Sequence, residues 1–310
     1  MLEDAPITQK QPPQEERPEG DEGLGLLGGF PPTGLLLLAI VSIQLGAALA
    51  TNLFPILGAD GTVAIRIIIS ALLLGLAARG RVLKFASLFM RDWGLLLAYG
   101  LCIAAMNFFY YKAIDLIPLG AAVAIEFVGP LGVAAFASHR PGHFACVGLA
   151  AIGIFLLSPF AGIDLDTLGI LYALLAGAGW ACFILLSRRV GMRVSGNDGL
   201  AIGMCIAALS MIPFAIPVVP DLISNPLLLL AGLGVALLST TLPFTFEFAA
   251  LKRLSNRAYG VIVSVEPVVA ALIGALLLGE RIGVQGMIAI TCVVVAAIGI
   301  TVTDGREPKQ

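Results

Sequence analysis

Four ionisable side chains stand out because each lies inside a long apolar run of the sequence: Arg66, Glu126, Glu247 and Glu266. An ionisable group in the hydrocarbon core of a bilayer costs about 2.5–3.5 kcal/mol on the insertion scale, so such residues are rare there. A carboxylate can hold an ammonium group or carry a proton, and a guanidinium can bind a carboxylate through a pair of hydrogen bonds. These side chains therefore have the chemistry to bind a small zwitterion or to move protons.

Glu126 is the strongest candidate of the four. Pro130 lies four residues later and has no N–H, so the carbonyl of Glu126 loses its helical hydrogen-bond partner. One turn of helix then offers a carboxylate and a free carbonyl together, which suits an ammonium group or a proton. The alternative is a protonated glutamate that is hydrogen-bonded to a neighbouring helix.

The other three ionisable residues each have more than one interpretation. Arg66 could pair with a substrate carboxylate, extend outward to the membrane surface, or neutralise one of the glutamates. Glu266 could serve substrate or proton chemistry, or have a structural role. Glu247 lies toward one end of its run. There it could be part of a gate, form a salt bridge with Lys252 or Arg253, or take a direct part in the chemistry.

Polar and aromatic side chains in the same runs could line a cavity near these charges. Gln44, Asn52 and Asn107 are candidates, although hydrogen bonds between helices are the commoner use of such residues. The aromatic run 108–111, which contains Tyr110, could wall a pocket or form part of an interface belt.

Metal and cofactor chemistry are not expected. The five cysteines lie on separate apolar runs without a CxxC pair, and the only two histidines lie in one short loop. This pattern disfavours a metal site and a structural disulfide. Without a glycine-rich phosphate loop, ATP-driven chemistry by this chain alone is disfavoured as well.

The composition indicates which solvent surrounds these residues. Of 310 residues, 59% are hydrophobic and only 12% are charged, whereas a soluble domain has about 25% charged residues. Too little polar surface remains to wet a soluble globule, so lipid must surround most of the chain. This excludes a soluble enzyme, a nucleic-acid-binding protein and a disulfide scaffold.

Ten apolar runs approach the length of about 20 residues that a helix needs to cross a bilayer. The alternation typical of a β-barrel is absent, so we predict an all-α integral membrane protein. The runs cover residues 33–52, 61–79, 92–111, 117–138, 143–160, 168–187, 199–219, 227–250, 257–278 and 283–303.

The distribution of Lys and Arg predicts the orientation, since cytoplasmic loops carry an excess of both. Fifteen of the 18 Lys and Arg residues lie on the side of the N-terminus, and only Lys112 and Arg281 lie opposite. Both termini are therefore expected in the cytoplasm. Residues 1–32, with seven acids and two bases, are predicted to be a disordered acidic tail, and residues 304–310 a second cytoplasmic tail.

The chain also contains an internal repeat, with halves at 33–160 and 161–303. The segment 107–114 resembles 244–251, and the run around Glu126 resembles the run around Glu266. Because each half has five helices, the second half enters the membrane from the opposite side. Inverted repeats of this type build transporters whose binding site lies near the bilayer midplane.

At the level of motifs, the chain resembles the EamA-type drug/metabolite transporter superfamily from about residue 35 to residue 303. The superfamily motifs are Ala64-Ile-Arg66, Gly179-Trp180-Ala181, Glu266-Pro267 and Leu278-Gly-Glu-Arg281. More specific motifs resemble the amino-acid exporters of the superfamily: Ser42-Ile-Gln-Leu-Gly46, Met106-Asn-Phe108, Pro118-Leu-Gly120, Glu126-Phe-Val-Gly-Pro130 and Ser239-Thr-Thr-Leu-Pro243.

The resemblance implies ten helices, with helices 1–4 and 6–9 around a central cavity and helices 5 and 10 at the periphery. It also implies export of small neutral amino acids of the threonine or homoserine type across the bacterial inner membrane, driven by the proton gradient. We expect alternating access, with the substrate carboxylate near Arg66 or helix dipoles and its ammonium near Glu126. A proton on Glu126 would accompany the return step.

Other functions remain open at this point. The same fold could move another metabolite or a drug-like cation, or act as an uptake permease. A membrane enzyme acting on lipids would need a nucleophile–base pair or a metal set that the sequence lacks, and a scaffold would leave Glu126 and Glu266 unexplained. The sequence does not decide between a monomer and a homodimer.

Overall fold

The computed structural model describes residues 29–77, 82–138, 141–157, 165–193, 198–251, 253–254 and 256–304. Most of the predicted acidic tail and residues 305–310 lie outside these ranges. So do several loop residues used for the orientation and the metal argument: Arg79, Arg81, Arg140, Lys252 and His139. Every regular element in the described ranges is helical.

Fourteen α-helices are present in the described residues. The first seven are α1 (Pro32–Thr51), α2 (Phe54–Ala77), α3 (Val82–Leu116), α4 (Leu119–Glu126), α5 (Val128–Ser138), α6 (Pro141–Leu157) and α7 (Thr167–Gly191). The others are α8 (Asp198–Ala215), α9 (Val219–Ser224), α10 (Leu227–Ala236), α11 (Leu242–Leu251), α12 (Asn256–Val263), α13 (Glu266–Ile273) and α14 (Val284–Asp304). One π-helical segment, Leu237–Thr241, joins α10 to α11, and another, Gly274–Leu278, extends α13.

Eight helical segments in the described ranges are long and apolar enough to cross a membrane. The remaining two predicted runs, at 117–138 and 143–160, contain shorter apolar helices, Leu119–Val133 and Phe144–Leu157. The prediction of an all-α, multi-pass membrane protein is therefore confirmed. The fourth and fifth runs are shorter as helices than the sequence pattern indicated.

Two of the predicted runs are broken helices, and a glutamate stands at each break. The fourth run divides into α4 and α5 directly after Glu126, because Pro130 cannot supply the N–H that would continue the ladder. The ninth run divides into α12 and α13, and α13 begins at Glu266 with Pro267 in its first turn, where proline is tolerated. The sequence thus places both carboxylates beside irregular backbone.

The helices that contain the second and third runs begin before the runs themselves. Gly58 has a φ of +67°, a left-handed conformation that favours glycine, and it breaks α2 just before the predicted run at 61–79. The helix nevertheless continues on both sides of Gly58 and starts at Phe54. Similarly, Asp92 interrupts α3, whose membrane-spanning part is Asp92–Leu116 and whose first turns precede it.

Packing gathers the broken helices around the centre of the molecule. The main pairs are α3 with α7, α2 with α8, α1 with α11, and α4 with both α7 and α13, while α6 packs against α14. The contact of α4–α5 with α7 needs glycine. A Cβ atom added to Gly177 would lie 2.6 Å from the carbonyl oxygen of Glu126, and one on Gly129 would lie 1.9 Å from the carbonyl oxygen of Gly177.

Candidate functional site

Six of the residues that the sequence singled out come together in one largely buried polar cluster, which we call the central site. They come from five helices that are distant in the sequence. The members are Gln44 on α1, Arg66 on α2, Asn107 and Tyr110 on α3, Glu126 at the end of α4 and Glu266 at the start of α13. Another candidate, Glu247 on α11, is linked to this site at its edge.

Arg66 is held in place inside the protein and does not extend to the membrane surface. It is 8% exposed, its Nη2 donates a hydrogen bond to Oδ1 of Asn107, and the Asn107 amide donates to the Ile103 carbonyl at 2.7 Å. The guanidinium carbon lies 5.0 Å from the ring centroid of Tyr111, a cation–π contact. Because this hydrogen bond goes to an amide, the guanidinium charge is still available to an anionic ligand.

The carboxyl groups at the two helix breaks lie within electrostatic range of each other. Glu126 is 8% exposed and lies within electrostatic range of Glu266 and of Tyr110. Oε1 of Glu266 accepts a hydrogen bond of 3.0 Å from Nε2 of Gln44. A pair of carboxyl groups in a water-poor site can hold an ammonium group or a proton between them.

Several buried polar atoms around these residues have no hydrogen-bond partner within the described part of the chain. Folded proteins pair nearly all of their buried polar groups, so a cluster of exceptions indicates where a polar ligand or water completes the bonding. The atoms are Oε1 of Gln44, Nε of Arg66, the hydroxyls of Tyr110 and Tyr111, Oγ of Ser239 and Oγ1 of Thr241.

The π-helical segment Leu237–Thr241 packs against α1 and α2 beside the central site, a feature that sequence reasoning missed. Oγ of Ser42 on α1 donates to the carbonyl of Leu238 at 2.7 Å, and Oγ of Ser70 on α2 donates to Oγ1 of Thr240 at 3.1 Å. Single π-helical turns are frequent at functional sites. The signal available in the sequence was the run Ser239-Thr-Thr241, three hydroxyl side chains in a row within an apolar run.

Glu247 is bonded to an aromatic side chain and lies at the edge of the central site. The hydroxyl of Tyr259 on α12 donates to Oε1 of Glu247, and Glu247 lies within electrostatic range of Glu266. Lys252 lies outside the described residues, and Arg253 donates to the carbonyl of Phe30 at 2.9 Å. The described partner of Glu247 is therefore Tyr259, which sequence reasoning had not singled out.

Three other candidates, Asn52, Phe108 and Phe109, do not belong to the central site. Nδ2 of Asn52 donates to the Ala48 carbonyl at 2.9 Å, so this amide caps the end of α1. Phe108 packs against Phe214, and Phe109 packs against Tyr172, so both phenylalanines fill contacts between helices. Of the aromatic run 108–111, only the tyrosines face the polar cluster.

The motif Leu278-Gly-Glu-Arg281 supports the site from a distance. Both carboxylate oxygens of Glu280 lie 3.0 Å from the backbone N of Leu119, the first residue of α4. The carboxylate thus accepts a hydrogen bond from an N–H that a helix start leaves without an internal partner. Burial raises the pKa of Glu280, and this hydrogen bond acts in the opposite direction. Because α4 has only eight residues, fixing its start also fixes Glu126 at its end.

An apolar groove of about 530 Å³ lies on the other side of the α4–α5 break, against α7. Its lining includes Ile125, Gly129, Gly177 and Leu185, and Arg188 is the only charged side chain among the described residues that line it. It offers no set of polar groups for a zwitterion, so we do not assign it as the substrate site.

Comparison with known proteins gives consistent results. A family model described as the EamA-like transporter family matches residues 167–302. The chain is 41% identical over 283 residues to the threonine/homoserine exporter RhtA of Salmonella typhimurium (strain LT2), covering 90% of this chain and 94% of that protein. It is 40% identical over 282 residues to the protein of the same name from Escherichia coli (strain K12), with the same coverage.

One crystal structure has a TM-score of 0.59 at 20% identity and covers 88% of this chain and 98% of its own chain. At this identity it shows a shared fold alone. The relatives matched over nearly their full length are transporters, and this chain is accordingly a membrane transporter and not an enzyme. From this identity and the family match to the second half, the chain belongs to the EamA-like transporter family.

Proposed function

We propose that this protein exports small neutral amino acids of the threonine or homoserine type across the bacterial inner membrane, in exchange for protons. One observation carries the proposal: a single cluster holds the buried guanidinium of Arg66, the buried carboxyl group of Glu126 and the partly buried one of Glu266, and neighbouring polar atoms lack partners among the described residues. Such a cluster matches an amino acid, which has one anionic and one cationic group. The names of the RhtA relatives agree with this substrate class.

The positions of the charges define how the zwitterion binds in our proposal. Nε of Arg66 is buried and unpaired among the described atoms, so the substrate carboxylate receives a hydrogen bond there. The ammonium group lies between Glu126 and Glu266, whose carboxyl oxygens accept its hydrogens. Tyr110 lies within electrostatic range of Arg66 and of both glutamates, so it bridges the two ends of the ligand.

The same carboxyl groups couple transport to protons. When the site faces the cytoplasm, the ammonium group of the substrate displaces the proton held by the Glu126–Glu266 pair. After outward opening the substrate leaves and a proton takes its place, which lets the empty site return. A charge left alone in this buried site would be costly, so the return step favours the protonated pair.

A ten-helix fold of two inverted five-helix repeats is part of the proposal. The contacts between helices support it, because they follow a twofold pattern when each helix of the first half is paired with its counterpart in the second. Helix α1 packs against α10–α11, and its counterpart α7 packs against α3. Helix α1 also packs against α12–α13, and α7 packs against α4–α5. Likewise α2 meets α10 as α8 meets α3. The pairs α2 with α8, α4 with α13 and α6 with α14 relate equivalent helices, as expected along the axis.

Efflux of labelled threonine and homoserine from preloaded proteoliposomes tests the function. Wild type should release both amino acids faster when an inward proton gradient is imposed, and Glu126→Gln should lose this response. Asp115→Asn, which neutralises an exposed carboxylate at the end of α3, is the matched control and should behave as wild type. No efflux of either amino acid by the wild type, or an unimpaired gradient response in Glu126→Gln, would contradict the proposal.

A further inference from the structure

A pair of hydroxyl groups beside the central site is not used by either charged end of the ligand. The hydroxyls of Tyr111 on α3 and Ser239 in the π-helical segment are neighbours, and both oxygens are buried without a hydrogen bond of ordinary geometry to any described residue. The Tyr111 side chain is 1% exposed. The protein therefore keeps two polar groups at a position that water from the bulk does not reach.

Two hydroxyl groups cannot satisfy all of each other's hydrogen bonds. Each hydroxyl has one hydrogen to donate and lone pairs that accept. Even if one of the two donated to the other, one hydrogen would remain without an acceptor, and a buried unpaired donor is costly. A third hydroxyl group completes such a pair, because it accepts from one partner and donates to the other.

The location of the pair relative to Arg66 identifies where that third hydroxyl comes from. The Tyr111 ring lies under the Arg66 guanidinium, 5.0 Å from its central carbon, so the pair lies beside the carboxylate end of the ligand. In threonine the side-chain hydroxyl is three bonds from the carboxylate carbon, and in homoserine it is four. At about 1.5 Å per bond, both hydroxyls reach roughly 3–5 Å from the carboxylate carbon.

The pair is also held rigidly, as a selective subsite requires. A Cβ atom added to Gly46 on α1 would lie 2.3 Å from Oγ of Ser239, so glycine there allows the serine hydroxyl to pack directly against α1. The hydrogen bonds from Ser42 to the Leu238 carbonyl and from Ser70 to the Thr240 hydroxyl hold the residues on both sides of Ser239.

We infer that Tyr111 and Ser239 form a subsite for the side-chain hydroxyl of the transported amino acid and set its selectivity for hydroxylated over apolar substrates. The inference rests on the proposed function. Valine is an isostere of threonine in which a methyl group replaces the hydroxyl, and norvaline stands in the same relation to homoserine. A methyl group would cover the two hydroxyls without bonding to either, so both apolar amino acids are rejected.

The test is a selectivity ratio measured in proteoliposomes. Efflux of labelled threonine and valine, and of homoserine and norvaline, is compared for wild type, Ser239→Ala and Tyr111→Phe. Ser210→Ala is the matched control, since its hydroxyl donates to the Ala207 carbonyl within α8. The ratio of two transport rates within one preparation does not depend on how much folded protein was reconstituted. If one of the two subsite variants does not fold, the other still tests the inference.

We expect wild type and Ser210→Ala to transport threonine at least about tenfold faster than valine. In Ser239→Ala and Tyr111→Phe this ratio should fall by about tenfold, chiefly because threonine transport becomes weaker. Equal transport of threonine and valine by the wild type would overturn the inference and leave the proposed function intact. An unchanged ratio in both variants would overturn it as well. Failure of the wild type to move any of the four amino acids would instead overturn the proposed function.

Discussion

Nε2 of Gln44 lies 3.0 Å from Oε1 of Glu266, and this hydrogen bond joins the first helix of the chain to the first residue of α13. The two residues are 222 positions apart in the sequence. The bond therefore ties the first half of the chain to the second half at the carboxyl pair. It also fixes the orientation of one carboxyl group relative to the helix that carries Ser42 and Gly46.

Loss of this hydrogen bond should impair transport more than it impairs folding. We expect Gln44→Ala to lower the rate of gradient-driven threonine efflux by about tenfold, because Glu266 loses the donor that orients it. The matched control is Asn52→Ala, which removes an amide from the same helix outside the central site. Equal efflux by wild type and Gln44→Ala, measured at equal reconstituted protein, would contradict this role.

A lysine should not replace Arg66 without loss. Arg66→Lys keeps the positive charge but loses the planar fork that holds Asn107 with one nitrogen and offers Nε to the substrate. We expect the KM for threonine to rise by at least about tenfold, equivalent to about 1.4 kcal/mol of binding free energy. Arg188→Lys, at the exposed end of α7, serves as the control, and a KM shift shared by both variants would contradict the assignment.

The close contact between Gly177 and the backbone of Glu126 can be tested by adding a methyl group at Gly177. Gly177→Ala would place Cβ 2.6 Å from the Glu126 carbonyl oxygen, which belongs to backbone and cannot rotate away. We expect a loss of about 1–3 kcal/mol in stability, seen as a lower Tm in detergent. Gly191→Ala on the same helix has open space around its Cβ and should leave the Tm unchanged or slightly higher.

The role of Glu280 as a cap predicts a stability effect without a direct effect on substrate binding. Glu280→Ala leaves the Leu119 N–H without its acceptor and should cost about 1–2 kcal/mol, again read as a lower Tm. Arg281→Ala, at the exposed neighbouring position, is the control and should change the Tm little. An unchanged Tm in Glu280→Ala would show that the start of α4 does not depend on this carboxylate.

The residues that the sequence revealed share one physical property, which is that they conflict with their surroundings. Arg66, Glu126 and Glu266 are charged groups in apolar runs, and Pro130 interrupts a helical ladder, so each can be recognised without knowledge of its neighbours. The breaks at the two glutamates follow from the same local rules.

Residues such as Ser239 and Tyr259 could not be recognised in this way. Serine and tyrosine are ordinary in membrane helices, and their importance arises from contacts with residues far away in the sequence. The π-helical turn that presents Ser239 depends on packing against Ser42 and Ser70, which no local pattern encodes. The prediction that Asn52 lines the cavity was wrong, because its amide donates to the carbonyl of Ala48, one turn back at the end of α1. A polar residue in an apolar run can thus be satisfied locally.

The most direct test of the central claim is to measure proton movement while threonine moves. Proteoliposomes that contain a trapped pH-sensitive dye are given a threonine gradient in the absence of any imposed proton gradient, with Glu126→Gln liposomes as the blank. Amino acid/proton exchange predicts that protons move opposite to threonine in wild type and that the Glu126→Gln signal is flat. Threonine movement without a proton flux, or with protons moving in the same direction, would contradict the account.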